Sequence, residues 1–275
     1  MTTPDSVKYS HVPTATDNVW GVGLKDAKRQ SSKTALLDVL QSVTGLILGI
    51  FLFCHMAFTS SVQFGKDLFM TLIMTSGGAF IDGEEHLWMH VVFVGFIFLC
   101  VVVHMFCALR RFPTSYHQLR DIKAHVRMVH HEDTTLWWIQ IVTAFLLFLL
   151  VFPHLISMLT NPGVFDPNLI GVHTYHNGLL YTFIFLVVTE LHGMIGLYRL
   201  AVKWDIFAKD PERNIMDQRQ GDRAGLRKGM LIVAFLMIVC GSLTMWKNYS
   251  IGAEQVEAGQ EAQRYEIPAD ASWYK

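Results

Sequence analysis

Four histidines lie inside long apolar segments of the sequence, where their ring nitrogens could bind a metal. They are His55, His104, His154 and His192. If these segments cross a membrane, no water satisfies the polar nitrogens, so each ring needs a partner. The other nine of the thirteen histidines lie in loops or near segment ends, where solvent or the membrane interface satisfies them. For any one of the four embedded histidines taken alone, a hydrogen bond to a neighbouring helix explains its position as well as metal binding does.

The depths of the four histidines group them into two pairs. His104 and His192 lie six and seven residues before an arginine at the end of their segment. At 1.5 Å per residue these distances are roughly 9 and 10 Å from the same boundary. His55 and His154 lie nine and six residues before the other ends of their segments, and therefore in the opposite half of the layer. Each level thus has one pair of histidines from two different segments.

A pair of facing imidazoles is the ligand set of a low-spin haem, because the two rings fill both axial positions of the iron. Oxygen then cannot easily bind, so such a haem is suited to electron transfer. A single four-histidine cluster is excluded, since the two levels are roughly 10 Å apart in a hydrocarbon layer of about 30 Å. The sequence has no C-x-x-C-H attachment motif and its four cysteines lie in apolar segments. We therefore expect two non-covalently bound haems b and no disulfides.

Five apolar segments are long enough to position these histidines across a membrane. The chain is 52% apolar and only 16% charged, and its mean hydropathy is +0.33. A crossing takes about 20 helical residues. The sequence therefore predicts an all-α integral membrane protein, a bundle of five transmembrane helices around two haems. The predicted parts are a cytoplasmic segment 1–35, a membrane domain 36–250 with helices at about 36–64, 87–109, 135–160, 177–203 and 228–248, and an external tail 251–275 with little fold of its own.

The basic residues predict the orientation of the bundle. Of the 22 lysines and arginines, 18 lie in the N-terminal segment, the connection between the second and third helices, or the stretch from the end of the fourth helix to the start of the fifth. The positive-inside rule places these parts in the cytoplasm and the C-terminus outside. The stretch 205–227 is polar and is predicted to be an exposed loop. Residues 1–35 lack the apolar core of a cleavable signal, and a net charge of −1 gives no indication of nucleic-acid binding.

Several polar residues near these segments could bind haem propionates or transfer protons. Glu190 is a carboxylate deep inside a helix, two residues before His192, where it either hydrogen-bonds to a neighbour or transfers protons. Haem propionates need donors at the cytoplasmic boundary, although residues there could equally be ordinary interfacial side chains; the candidates are Gln41, Ser42, Trp137 and Lys203. Acids of the first external loop are weak candidates for proton release from a quinol: Asp82, Glu84 and Glu85.

Four stretches of the sequence closely resemble the dihaem cytochrome b subunit of quinol:fumarate reductases, in its single-subunit, five-helix form. They are Gln41–Met56, Arg110–Tyr116, Asp133–Gln140 and Glu190–Trp204. The resemblance covers about residues 36–250. It implies that His55 and His154 bind a distal haem and that His104 and His192 bind a proximal haem. It also implies that the four boundary residues named above bind the proximal propionates and that Glu190 takes part in transmembrane proton transfer.

The same resemblance implies the partners and the reaction. The expected complex has a cytoplasmic flavoprotein with FAD and an iron–sulfur subunit, lies in the bacterial inner membrane, and oxidises menaquinol to reduce fumarate in anaerobic respiration. Whether it forms a dimer of heterotrimers stays open. Alternatives are the same complex acting as a succinate:quinone reductase, the cytochrome b anchor of another enzyme such as a hydrogenase, and a transporter that relays protons through its histidines and Glu190.

One position departs from the pattern of the family. The glutamate of the family's quinol site, in the first external loop, aligns without gaps to Gly77. Either a local shift brings Asp82, Glu84 or Glu85 into its place, or quinol binds in a different way.

Overall fold

A computed structural model describes residues 27–110, 112–113, 115–129, 132–204, 206 and 215–268. Most of the predicted cytoplasmic segment 1–35 and the end of the predicted tail 251–275 lie outside the described residues. The structure divides into two units, residues 1–39 and 40–275. The described part of the first unit is the beginning of one helix; the account below concerns the second unit.

The regular secondary structure of the described residues is helical throughout. Its α-helices are α1 Ala27–Ser60, α2 Lys66–Ser76, α3 Ala79–Asp82, α4 Leu87–Leu109, α5 Tyr116–Val129, α6 Glu132–Thr160, α7 Pro167–His173, α8 Leu179–Lys203 and α9 Ile215–Glu257. Helices α1, α4, α6, α8 and α9 are each long and apolar enough to cross a membrane. The predicted all-helical fold with five spanning helices is therefore confirmed.

The spanning helices alternate in direction, which defines two ends of the bundle. The "basic end" contains α5, the C-terminal end of α8 and the first turns of α9. The "opposite end" contains residues 61–86, 161–178 and 258–268. The structure has more helix than the sequence predicted, because α9 already begins at Ile215, within the stretch expected to be an exposed loop. Its first turns are rich in Arg, Gln and Met, which have high helix propensity.

Short helices rather than an irregular loop fill the first connection at the opposite end. Helices α2 and α3 occupy most of residues 65–86, and they end at the glycine breaks visible in the sequence. Gly78 and Gly83 have φ values of 88° and 85°, a left-handed conformation that glycine adopts without steric cost. In the second connection Asp166 caps α7, accepting hydrogen bonds from the backbone N–H groups of Asn168 and Leu169 at 2.8 and 3.2 Å.

Two apolar clusters stabilise the bundle, one toward each end. The first joins α6, α8 and α9 through Leu136, Met194, Ile195, Tyr198, Met230 and Ala234. The second lies at the opposite end and comprises Val62, Phe69, Met70, Ile73 and Ile251, with Tyr265 and Ile267 against it. Residues 258–268 form no helix or strand, yet they pack on this cluster. The predicted tail is therefore more ordered than its polar composition indicated, because two apolar side chains within it are anchored.

Candidate metal centres

His55 of α1 and His154 of α6 face each other toward the opposite end of the bundle. Their ring centroids are 6.5 Å apart, with an angle of 71° between the ring planes. His55 also stacks on Phe51 at 5.2 Å, and His154 packs against Phe185 at 5.2 Å. The two imidazoles are therefore held among aromatic side chains rather than by a hydrogen bond to each other.

A proline directly before His154 shapes this part of α6. Pro153 lacks the N–H group that would bond to the carbonyl of Leu149, so the helix is opened at this turn. The Tyr181 hydroxyl of α8 donates a hydrogen bond to the neighbouring carbonyl of Leu150 at 2.5 Å. This cross-link between α6 and α8 fixes the turn from which His154 projects.

His104 of α4 and His192 of α8 are near each other toward the basic end and form the second pair. Each is held by a threonine of another helix. The Nδ1 atom of His104 lies 3.2 Å from the hydroxyl of Thr44 on α1. The Nδ1 atom of His192 lies 3.2 Å from the hydroxyl of Thr143 on α6. His104 also packs against Gly45, where a Cβ atom would lie only 3.0 Å from the ring.

The two threonines determine which ring nitrogen carries the proton. Thr44 donates its hydroxyl hydrogen to the carbonyl of Leu40 at 2.7 Å, and Thr143 donates to the carbonyl of Ile139 at 2.8 Å. A hydroxyl has a single hydrogen to donate, so toward the imidazole each oxygen is an acceptor and Nδ1 carries the proton. The Nε2 lone pairs of His104 and His192 are then available for a metal.

The geometry of both pairs fits a haem better than a bare metal ion. A metal bound between two imidazoles places the ring centroids about 6 Å apart, because each metal–nitrogen bond is about 2 Å; His55 and His154 are at 6.5 Å. The helices that share a pair, α1 with α6 and α4 with α8, do not pack closely against each other, whereas α8 packs closely on both α6 and α9. Among the described residues no three His, Cys, Asp or Glu side chains gather into a metal cluster. Two protein ligands suffice where a macrocycle supplies the others.

Of the four predicted propionate donors, the structure brings two into contact. The Lys203 ammonium donates a hydrogen bond to the Ser42 hydroxyl at 3.1 Å, near the basic end. Gln41 precedes Ser42 on α1 and is half-buried, and Trp137 is half-buried on α6. Lys203 also lies 5.4 Å from the ring of Trp204. A cation and a hydroxyl donor therefore meet at the edge of the second pair.

Glu190 is fully buried on α8 and is not explained by the fold. Its exposed fraction is 0%, and neither carboxyl oxygen has a hydrogen-bond partner among the described residues. A carboxyl group at such a position is costly to bury unless it is protonated or finds a partner. The adjacent Thr189 hydroxyl is also buried without a partner in the described part of the chain.

The three loop acids differ sharply in their surroundings. Asp82 is exposed and pairs with His86 at 3.0 Å, and Glu84 is exposed. Glu85 is 13% exposed, and its two oxygens face His90 at 3.2 Å and Arg264 of the tail at 3.3 Å. The sequence analysis missed His90, Thr44 and Thr143. His90 was grouped with the interfacial histidines, and the two threonines received no role.

Comparison with known proteins finds one family model and several similar proteins. The family model for the succinate dehydrogenase/fumarate reductase transmembrane subunit matches residues 117–244. A protein of Helicobacter pylori named fumarate reductase cytochrome b subunit is 37% identical over 256 residues, covering 92% of this chain and 95% of that protein. The protein of the same name from Wolinella succinogenes is 34% identical over 239 residues, covering 86% of this chain and 90% of that protein.

Proposed function

Because this chain belongs to the succinate dehydrogenase/fumarate reductase transmembrane subunit family, as a fumarate reductase cytochrome b subunit, we propose that it carries electrons from menaquinol to the catalytic subunits through two haems b. His55 and His154 bind the distal haem, and His104 and His192 bind the proximal one. When bound, each haem supplies a one-electron carrier. The partners are an iron–sulfur subunit and an FAD-containing flavoprotein, where fumarate is reduced to succinate.

The observation that carries this proposal is the arrangement of two histidine pairs at two levels of one bundle. Thr44 and His55 are eleven residues apart on α1, and Thr143 and His154 are eleven residues apart on α6. Eleven residues are close to three helical turns, roughly 16 Å, so both members of each set lie on the same face. Helices α1 and α6 thus each contribute a ligand to one level and an orienting hydroxyl to the other. Two haems held at these two levels would provide an electron-transfer path between the two ends of the bundle.

At the basic end, the chain's own residues orient the proximal centre. Ser42 and Lys203, together with Gln41 and Trp137, bind the propionates, since an ammonium group and a hydroxyl satisfy carboxylate oxygens at the edge of the membrane. The predicted cytoplasmic side is this basic end, where the flavoprotein and iron–sulfur subunits dock. The opposite end, with Asp82, Glu84 and Glu85, is periplasmic and faces the quinol.

Glu190 is proposed to carry a proton across the interior of the bundle. It is fully buried and has no partner among the described residues. A proton taken up there as the adjacent proximal centre gains an electron would offset the added negative charge. The carboxyl group thus couples proton position to electron position without adding a net charge to the membrane interior.

The test uses the complete complex purified with its partner subunits. We expect two low-spin b haems per chain in the reduced-minus-oxidised spectrum, and fumarate reduction driven by a menaquinol analogue. His104→Ala or His192→Ala should remove one haem and leave the distal signal. Glu190→Gln should keep both haems and lower quinol-driven turnover at least tenfold. Absence of haem from the parent complex, or loss of the distal haem in His104→Ala, would refute the assignment of the haem ligands. The reverse assay with succinate and quinone reports which direction of the reaction is faster.

A further inference from the structure

Two histidine–carboxylate pairs lie at the opposite end of the bundle, next to each other but differing in exposure. Glu85 and His90 are 13% and 9% exposed. Asp82 and His86 are 48% and 27% exposed. Both histidines pack against the Gly77-Gly78 turn, and the His86 backbone N–H donates to the Gly77 carbonyl at 2.8 Å. The two pairs thus form a short series that leads from the protein interior to solvent.

Gly77 provides the space for the inner pair. A Cβ atom at this position would lie 2.8 Å from the Cγ atom of Glu85 and 2.8 Å from the Nε2 atom of His90. Real Cβ atoms do not approach other atoms so closely, so only glycine fits without displacing one member of the pair. The Glu85 side chain therefore occupies the volume that a side chain at position 77 would otherwise fill.

Phe165 and Arg264 hold the inner pair from two further sides. The His90 ring stacks on Phe165 at 4.9 Å. The second oxygen of Glu85 faces the Arg264 guanidinium at 3.3 Å, and Arg264 in turn lies 3.6 Å from the buried carboxylate of Asp166. A buried carboxylate whose two oxygens contact different partners is held in one orientation. Arg264 thus fixes Glu85 toward His90.

The inner pair also lies close to the distal histidines. Phe93 is three residues after His90 on α4, so the two share a face of the helix. The Phe93 ring lies 5.9 Å from that of Phe51, and Phe51 stacks on His55 at 5.2 Å. Phe93 is exposed on the apolar surface of the helix, as is Trp88. A quinol arriving from the lipid beside Phe93 can therefore contact both the inner pair and the aromatic side chains that pack on His55.

We propose that Glu85 and His90 form the proton-accepting pair for quinol oxidation, that Gly77 makes room for the pair, and that Arg264 is a positioning residue for Glu85. This inference rests on the function proposed above. The exposed pair Asp82 and His86 is the outlet to solvent. The arrangement also accounts for the departure at position 77, since an acid reaches the same volume from Glu85.

The chemistry balances with the carriers already proposed. His90 donates from Nε2 to Glu85 and accepts at Nδ1, so a quinol O–H bond breaks as an N–H bond forms on the imidazole. The imidazolium passes its proton to the Glu85 carboxylate and then to external water, which restores the pair for the second proton. The two electrons would pass one at a time to the one-electron carriers that the two histidine pairs would hold. In total one quinol becomes one quinone, two protons reach the external side and two electrons leave toward the partner subunits.

The test compares Glu85→Gln with the parent complex, and Glu257→Gln, an exposed acid at the end of α9, serves as the matched control. General acid–base catalysis contributes about 100-fold or more, so we expect quinol-driven turnover of Glu85→Gln and His90→Gln to fall about 100-fold. Fumarate reduction driven by reduced viologen, which bypasses quinol, and the haem spectrum should be unchanged. Binding of a fluorescent hydroxyquinoline N-oxide, a quinol analogue, should weaken at least tenfold. The control should match the parent in every assay.

Two further variants separate the alternatives. Glu85→Asp keeps a carboxyl group beside His90 and should retain at least a tenth of parental quinol turnover. Arg264→Gln should lower kcat several-fold with little change in KM, and Arg264→Lys should restore it. Quinol turnover within twofold of the parent in Glu85→Gln would overturn the inference, as would a loss confined to Glu84→Gln. If Glu85→Gln does not assemble, parental quinol turnover in an assembled His90→Gln complex overturns it instead. A parent complex that oxidises no quinol refutes the proposed function itself.

Discussion

At the scale of single residues, Thr44 and Thr143 each fix the orientation of a neutral histidine inside the bundle, as the proposed haem ligation requires. Thr44 and Thr143 are buried, and each hydroxyl donates within its own helix. The oxygen that remains can only accept, so the facing imidazole is held with Nδ1 protonated and Nε2 directed elsewhere. The backbone carbonyls of Gln41 and Gln140 also hydrogen-bond to His104 and His192. Each threonine therefore adds a second acceptor beside a carbonyl of its own helix.

We expect Thr143→Val to weaken the proximal centre selectively. Valine keeps the shape of the side chain but removes the acceptor for His192, and loss of such an orienting partner lowers metal affinity about 10- to 100-fold. Redox titration of the purified complex should show a shifted midpoint potential for one of two b haems, with partial loss of that haem. Thr71→Val is the control, because the Thr71 hydroxyl donates to the carbonyl of Asp67 within α2. Equal shifts of both haems, or none, would contradict the role assigned to Thr143.

The pairing of the four histidines could be predicted from the sequence because the depth of each can be counted along its helix. The orienting threonines were also within reach, since the eleven-residue spacing repeats on α1 and α6. What no spacing reveals is the choice among Asp82, Glu84 and Glu85. These residues lie within four positions of one another, and only the close approach of Gly77 to Glu85 and His90 distinguishes them. That contact depends on how α2 and α4 meet, which a single sequence does not specify.

At the scale of elements, residues 258–268 form a strap held by polar contacts rather than by secondary structure. The Tyr265 N–H donates to Asp166 at 2.9 Å, and the Tyr265 hydroxyl donates to Asp67. The Asn168 side chain donates to the carbonyl of Gln263 at 3.2 Å. Lys66 lies 4.9 Å from the centre of the Tyr265 ring. The sequence predicted little structure here because these partners come from α2 and α7, about 100 to 200 residues away along the chain.

We expect Tyr265→Phe to release this strap. Burial, followed by the hydrogen bond to Asp67, raises the pKa of Tyr265 to about 12. Because this pKa is raised, the stabilisation is fully present below the ordinary tyrosine value of about 10 and is lost only as the pH rises toward 12. At neutral pH the variant loses one hydrogen bond, about 1 kcal/mol. Tryptic cleavage after Arg264 in the purified complex should therefore be about five times faster.

The control for the strap is Tyr116→Phe, which removes a hydroxyl from an exposed tyrosine of α5. Its cleavage rate after Arg264 should equal that of the parent. A Tyr265→Phe complex with parental cleavage kinetics would show that the hydroxyl bond to Asp67 does not hold the strap. The haem spectrum should be unchanged in both variants, because neither tyrosine contacts a histidine pair among the described residues.

At the scale of the whole molecule, charge and chemistry are divided between the two ends of the bundle. The basic end contains α5 with Arg120, Lys123 and Arg127, and the start of α9, where Arg227 pairs with Glu132 and Asp133 of α6. The opposite end contains the carboxylate–histidine pairs. A cationic face suits the cytoplasmic side and the docking of soluble subunits, and an acidic face suits proton release. The proposed electron path runs from the opposite end to the basic end, so its direction across the membrane depends on the orientation of the chain.

The orientation can be measured with single cysteines placed at each end. The native cysteines Cys54, Cys100, Cys107 and Cys240 lie within spanning helices, so replacing them with serine or alanine gives a background for labelling. We expect a membrane-impermeant maleimide added to intact cells to label Glu257→Cys at the end of α9 and not Lys123→Cys on α5. Disruption of the cells should expose Lys123→Cys as well. If only Lys123→Cys were labelled in intact cells, the bundle would have the opposite orientation in the membrane. The protons of quinol oxidation would then be released into the cytoplasm.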